Sequence, residues 1–274
     1  MPTQWTENDI SVNNIRIHYT RTGRGDKPPL VLLHGFSDNR KCWLPVGRDL
    51  EAEYDLILPD GRGHGLSQRV QEGETVDMAA DLAGLIEALG LEQPVVGGHS
   101  MGASVSANLG GRFAGLVRGL ILEDPGWRKP QPPAEPDEAK APPPNPFLDW
   151  LMSMEKLSVQ ELVEKCRADN PTWQEAELQP WAESKKQLDY NILKALQVPR
   201  AEWQVAVRGI VRPTLLITAD PEKGAIVTPE IAKKAAKMNS FIRVVHVAGA
   251  GHSIRRENYA EFMRVVRGFL KDIG

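Results

Sequence analysis

Cysteine, an excess of basic residues and long apolar runs are what this chain lacks, and each absence removes a class of protein. Its 274 residues include 2 cysteines, Cys42 and Cys166, far apart and with no second pair beside either. A disulfide framework and a zinc site built on paired cysteines are excluded, and both side chains are expected to remain thiols in a reducing compartment. Lys plus Arg number 33 against 36 Asp plus Glu, a net charge of −3, so there is no electrostatic footprint for nucleic acid. No stretch approaches the ~18 consecutive apolar residues that identify a membrane helix, and the opening MPTQWTENDI has no basic segment leading into an apolar one. A soluble, cytoplasmic protein with no membrane partner is expected. The 6 histidines show no H-E-x-x-H or comparable ligand spacing, which argues against a metal.

What is present reads as an ordinary globular chain, 41% hydrophobic and 25% charged, long enough to bury a core without covalent staples. The first half alternates short apolar runs with amphipathic stretches, the pattern of a mostly parallel sheet flanked by helices. Strands are expected over 12–19, 30–33, 54–58, 95–97 and 116–122. Helices are expected over 76–89, from the spacing of Met78, Leu82, Leu85, Ile86 and Leu89, and over 101–113.

Residues 128–146 then break the pattern with 8 of the chain's 21 prolines and almost no large apolar side chain, which reads as an extended linker. From 147 to 208 there is no strand signal. Ser158 with Glu161 and Thr172 with Glu175 both fit the capping box, so this stretch is read as a helical cap, or lid. Sheet-type sequence resumes at 213–219 and 242–247, Thr228-Pro229 is a helix start, and a last amphipathic helix is expected over 257–273. The division is a core of 1–127 and 209–274, split by the linker and the cap.

Gly98-His99-Ser100-Met101-Gly102 is a G-x-S-x-G between a buried strand and a small-residue helix, the context of a nucleophile elbow. The glycines leave room for a tight strand-to-helix turn, and the helix N-terminus aims amide donors at the serine, where negative charge would develop. His34-Gly35-Phe36 ends an earlier strand, where a second backbone amide could complete an oxyanion hole. His252 follows the last strand in the loop Gly249-Ala-Gly251, and candidate acids lie between the serine and this histidine. His34, His64 and His99 are read as holding loops in place.

In HGF, DGRGHGLS, GHSMG, PTLLITAD and GAGH, in that order and at strand ends, the chain resembles the α/β-hydrolase superfamily over essentially its whole length. The resemblance implies an α/β-hydrolase fold with a helical cap, Ser100 as nucleophile, His252 as general base, and the amides of Phe36 and Met101 as the oxyanion hole. No cofactor is implied. The acid departs from the family pattern, because Ala219 to Pro229 is about two residues longer than usual. Asp220, at the strand end on rigid backbone, is the first choice, and Asp124 and Glu222 are the alternatives.

The expected activity is hydrolysis of a small or medium apolar ester or lactone through an acyl-enzyme. Cofactor-free haloperoxidase or perhydrolase chemistry, C–C bond hydrolysis, and a small-molecule receptor on the same fold remain as alternatives. Trp150, Trp173, Trp181 and Trp203 in the cap, with Trp127 at its start, are expected to line the substrate pocket. Oligomeric state is not legible.

Overall fold

The computed structural model describes residues 5–128, 146–195 and 203–274; all but the two ends of the expected linker, and residues 196–202 of the expected cap, lie outside these. The chain opens with β1 (Thr6–Val12) and β2 (Ile15–Arg21), an antiparallel hairpin that pairs Val12 with Ile15. The single strand expected over 12–19 is therefore corrected to the tip and return arm of this hairpin. Asn13 and Asn14, at φ 49° and 62°, make the two-residue turn, whose left-handed backbone matches the twist of the flanking strands.

There follow β3 (Pro29–Leu33), α1 (Leu44–Leu50), β4 (Asp55–Pro59), α2 (Met78–Ala88), β5 (Val95–His99), α3 (Met101–Arg112) and β6 (Gly119–Glu123). The helical stretch carries α4 (Pro146–Glu155), α5 (Val159–Asp169), α6 (Glu175–Lys186), α7 (Asn191–Ala195) and α8 (Trp203–Gly209). The chain closes with β7 (Thr214–Thr218), α9 (Pro229–Met238), β8 (Ile242–His246), α10 (Ile254–Glu257) and α11 (Tyr259–Ile273).

The sheet has eight strands in the order β1-β2-β4-β3-β5-β6-β7-β8, parallel from β4 onward. Residues of β3 alternate between its two faces: Val31 and Leu33 join Leu85, Ala107 and Ile231, whereas Leu30 and Leu32 join Trp43, Phe262 and Phe269. Being covered on both sides is what makes these strands uninterrupted apolar runs. The chain leaves β3 for β4 on one side and returns for β5 on the other, so the order reverses between β3 and β5. In open parallel sheets, ligands bind at the carboxyl ends of the strands at such a point.

In the helical stretch, α4, α5 and α6 enclose a cluster of their own, with Met154, Leu162, Cys166, Leu178 and Ala182 buried. Ser158 caps α5 in a capping box with Glu161. The second expected box does not form. Gln174 caps α6, and the Glu175 carboxylate binds Arg167 on α5 instead of turning back to Thr172. Although it falls inside the expected lid, α8 packs on the core: a Cβ on Gly111 of α3 would lie 2.5 Å from the Ala206 carbonyl oxygen. Among the described residues no helix is long and apolar enough to cross a membrane. Both cysteines are unpaired and buried.

Candidate active site

Ser100 stands between β5 and α3 at φ 54°, in the left-handed region that non-glycine residues rarely adopt. Two close approaches create the strain. A Cβ on Gly98 would lie 2.5 Å from the Gly102 carbonyl carbon, and one on Gly102 would lie 2.2 Å from the Leu33 oxygen. The G-x-S-x-G spacing is thus a packing requirement, and it holds Met101 as the first residue of α3. The Ser100 amide donates to the Glu123 carbonyl (2.9 Å), bringing the end of β5 beside that of β6.

The residue after Glu123 is Asp124, fully buried, with a left-handed backbone of its own (φ 38°). Its carboxylate accepts from the Ile226 amide (2.7 Å) and the Val227 amide (2.8 Å), and lies 2.7 Å from Nδ1 of His252. The carboxylate beside His252 is thus that of Asp124, and not that of Asp220, the first choice among the expected acids. Asp220 turns the other way, accepting from Nε2 of His246 (2.8 Å) and the Gly249 amide (2.8 Å). Glu222 is exposed on the single turn Pro221–Lys223. The longer loop after β7 accounts for the exchange, since it wraps back to deliver backbone amides, rather than a carboxylate, to the centre of the site.

Three buried histidines hold the surrounding backbone. His99 Nε2 lies 2.9 Å from the His252 carbonyl oxygen, so His99 donates there and fixes the base of the loop carrying His252. His34 Nε2 accepts from the Gly61 amide (2.9 Å), which leaves its Nδ1 to donate to the Gly35 oxygen (2.8 Å). His64 sets Nδ1 beside the Arg62 carbonyl and Nε2 beside the Phe36 carbonyl, and as a neutral ring it donates to one of the two. Burial pushes the His34 and His99 imidazoles below their usual range and takes His64 down to about 3, so all three are neutral at neutral pH.

The Asp38 amide donates to the Gly35 oxygen (3.0 Å), closing a hydrogen-bonded β-turn over 35–38. In a trans peptide the carbonyl and amide point in opposite directions. Holding the Gly35 oxygen from behind therefore aims the Phe36 N–H.

The expected pocket tryptophans separate into groups. Trp127, buried, stacks on Trp203 with ring centroids 5.1 Å apart, so the start of the linker and the first residue of α8 are clasped together. Trp181 is buried in the cluster of α4, α5 and α6, with Trp150 and Trp173 packed against it. Trp173 also stacks on the Arg256 guanidinium at 4.5 Å. Trp150 touches Phe147, which in turn meets Phe36 of the 35–38 turn edge-on at 5.7 Å. Among the described residues no cluster of His, Cys, Asp or Glu could hold a metal ion.

Beside this geometry stand the comparisons with known proteins. The chain is 28% identical over 270 residues to N-formylmaleamate deformylase of Pseudomonas putida, covering 96% of this chain and 95% of that one. It is 23% identical to 2-(acetamidomethylene)succinate hydrolase of Mesorhizobium japonicum, covering 95% and 94%. Among solved structures, an enol-lactonase from Burkholderia xenovorans matches its fold with a TM-score of 0.75 at 21% identity, over 96% of this chain and all of that one. Residues 30–265, from the start of β3 to the middle of α11, match the alpha/beta hydrolase family, and with the strand order, the elbow and that extent of match the chain belongs to the α/β-hydrolase family.

Proposed function

We propose that this hydrolase cleaves a small carboxylic ester or lactone through an acyl-enzyme on Ser100. The supporting observation is the 2.7 Å contact between His252 Nδ1 and the fully buried carboxylate of Asp124. With Nδ1 engaged, Nε2 is the ring nitrogen left to take a proton. Ser100 Oγ attacks the carbonyl carbon as its proton passes to His252, and the amides of Phe36 and Met101 receive the oxyanion. The imidazolium, stabilised by Asp124, returns the proton to the leaving alcohol. Water then attacks the acyl-enzyme by the same steps in reverse.

A second reading, hydrolysis of an acylamino group, draws support from the two relatives matched over nearly their whole length, whose names denote a deformylase and an acetamidomethylene hydrolase. The same triad serves either bond, with an amine in place of the alcohol as leaving group.

Ser100→Ala tests the common step. Turnover should vanish and the melting temperature should stay nearly unchanged, while a fluorophosphonate should label Ser100 in the native protein. Labelling at another residue, or an active alanine variant, would reject the assignment. A substrate panel pairing p-nitrophenyl esters and lactones with matched N-acyl compounds distinguishes the two readings by kcat/KM.

A further inference from the structure

The oxyanion turn is gripped from the cap side as well as from the core. Lys185, near the end of α6 and 3% exposed, donates to the Ser37 carbonyl (2.6 Å) and to Ser37 Oγ (3.1 Å). Ser184 Oγ lies 2.9 Å from the same carbonyl and 2.7 Å from the Trp181 carbonyl, with a single proton to donate to one of them at a time. The next residue of the turn, Asp38, is held by the Arg256 guanidinium at 2.9 and 3.2 Å, and Arg256 also binds Glu177, at the start of α6 (2.8 Å). Thus both ends of α6 reach the turn, one directly and one through Arg256. The Lys185 ammonium lies 4.5 Å from the centre of the Trp181 ring, and among the described residues no carboxylate is within ion-pair distance of it.

A lysine that served only to neutralise charge would sit on a carboxylate. This one is aimed at a single peptide of the turn, two peptide units along the chain from the Phe36 N–H. We propose that α6 is a built-in part of the oxyanion apparatus, with Lys185 as a positioning residue that holds the 35–38 turn so that the Phe36 amide points at the developing oxyanion. This rests on the acyl-enzyme reading of Ser100. Because the donor matters only when charge appears on the carbonyl oxygen, misplacing it affects kcat and leaves KM little changed.

The ammonium also titrates within a measurable range. Burial pushes Lys185 down to about 8, against the pull of Asp38. The groups acting on it are Asp38 and Ser37 on the turn, Arg256 on α10, Cys42 and Cys166, and the Trp150 and Trp181 rings, with Arg255 and Glu177 one contact further away, against Asp38 and Arg256. The two thiols are held protonated by burial, and the arginines do not titrate here. Deprotonation leaves a neutral amine with two donors for three oxygens, the Ser37 carbonyl, Ser37 Oγ and Ser184 Oγ (3.3 Å), so the turn loosens as pH rises through about 8.

The test is kcat and KM of the full chain for a short p-nitrophenyl ester from pH 6 to 10, in the native protein and in Lys185→Met, Lys185→Arg and Ser184→Ala. Lys185→Met should lower kcat at pH 7 by about tenfold or more, less than the 10² to 10³ of a deleted oxyanion donor, with KM within about twofold. Native kcat should decline above pH 8, and Lys185→Arg, whose guanidinium stays charged, should lack that decline. A folded Lys185→Met with kcat within about twofold of native overturns the proposal, as does a native profile flat across pH 8 or an identical decline in Lys185→Arg. If neither lysine variant folds, Ser184→Ala decides: loss of kcat at constant KM supports the proposal, and unchanged kcat overturns it. Fluorophosphonate labelling of native Ser100 separates the two levels. Its failure rejects the nucleophile, whereas labelling with unaltered variant kinetics rejects only the role of α6.

Discussion

The Asp124 carboxylate, at the end of β6, meets His252 Nδ1 at 2.7 Å while accepting two backbone amides from the loop after β7. One buried side chain thereby joins the ends of three strands, β6, β7 and β8. Its anchoring amides hold it in place, as an imidazole partner must be held to fix one tautomer.

Asp124→Asn should lower kcat on the order of 10⁴, by analogy with tautomer loss in other triads. Asp220→Asn removes a brace from the Gly249 amide and should cost about tenfold at most, and Glu222→Gln, on the surface, should be near native. Steady-state kinetics of the three purified variants on one ester checks this. A ranking with Asp220 on top would contradict the observed pairing.

Arg256 is nearly inaccessible and carries both Asp38 and Glu177. Burial disfavours the Asp38 anion, yet Arg256, Lys185 and Arg255 together outweigh it and hold the carboxyl well below its usual range. Arg256→Met should therefore destabilise the fold by about 3 to 5 kcal/mol, the cost of stranding buried charge. Combining it with Asp38→Asn and Glu177→Gln should recover much of that loss. Urea denaturation of the single and triple variants measures both.

Stability should fall on the acid side earlier than carboxylate protonation alone would produce. His64 titrates near 6.5 in the unfolded chain and about 3 in the fold, with His34 and His99 shifted in the same direction. Between those values the unfolded state binds more protons, so the contribution of His64 is complete above about pH 6.5 and is lost as pH falls toward 3, by up to about 1.4 kcal/mol per pH unit, with His34 and His99 acting in the same direction. Urea midpoints from pH 8 to 4 should show this slope, and it should be shallower in His64→Gln.

Trp127→Ala, which breaks the stack on Trp203, should lower the melting temperature without altering the preference among acyl chain lengths. Trp150→Ala, nearer Phe36, should shift kcat/KM between short and long acyl esters by roughly 1 to 3 kcal/mol, the worth of altered apolar contacts in a pocket. A Trp150 variant with an unchanged chain-length profile places the acyl pocket elsewhere.

The parallel core and the elbow were legible in the linear sequence because their causes are local. Strands covered on both faces must be apolar throughout, and a serine turn packed on Leu33 must be flanked by glycine. The same holds for Ser158, Thr228 and the final amphipathic helix, each governed by neighbours within a few residues. The hairpin at Asn13-Asn14 was not read as such: the strand expected over 12–19 runs through its turn and leaves out residues 6–11 of the first arm.

Tertiary structure alone decided the partner of His252 and the grip of α6 on the 35–38 turn. Asp124, Asp220 and Glu222 are all carboxylates that follow a strand, and position along the chain favoured Asp220. Choosing among them required knowing that the lengthened loop after β7 folds back and presents Ile226 and Val227 amides to Asp124. Lys185, Asp38 and Arg256 carry no common motif and lie far apart along the chain. Buried charges find partners through space, and nothing in the spacing of residues encodes which helix end will arrive beside which turn.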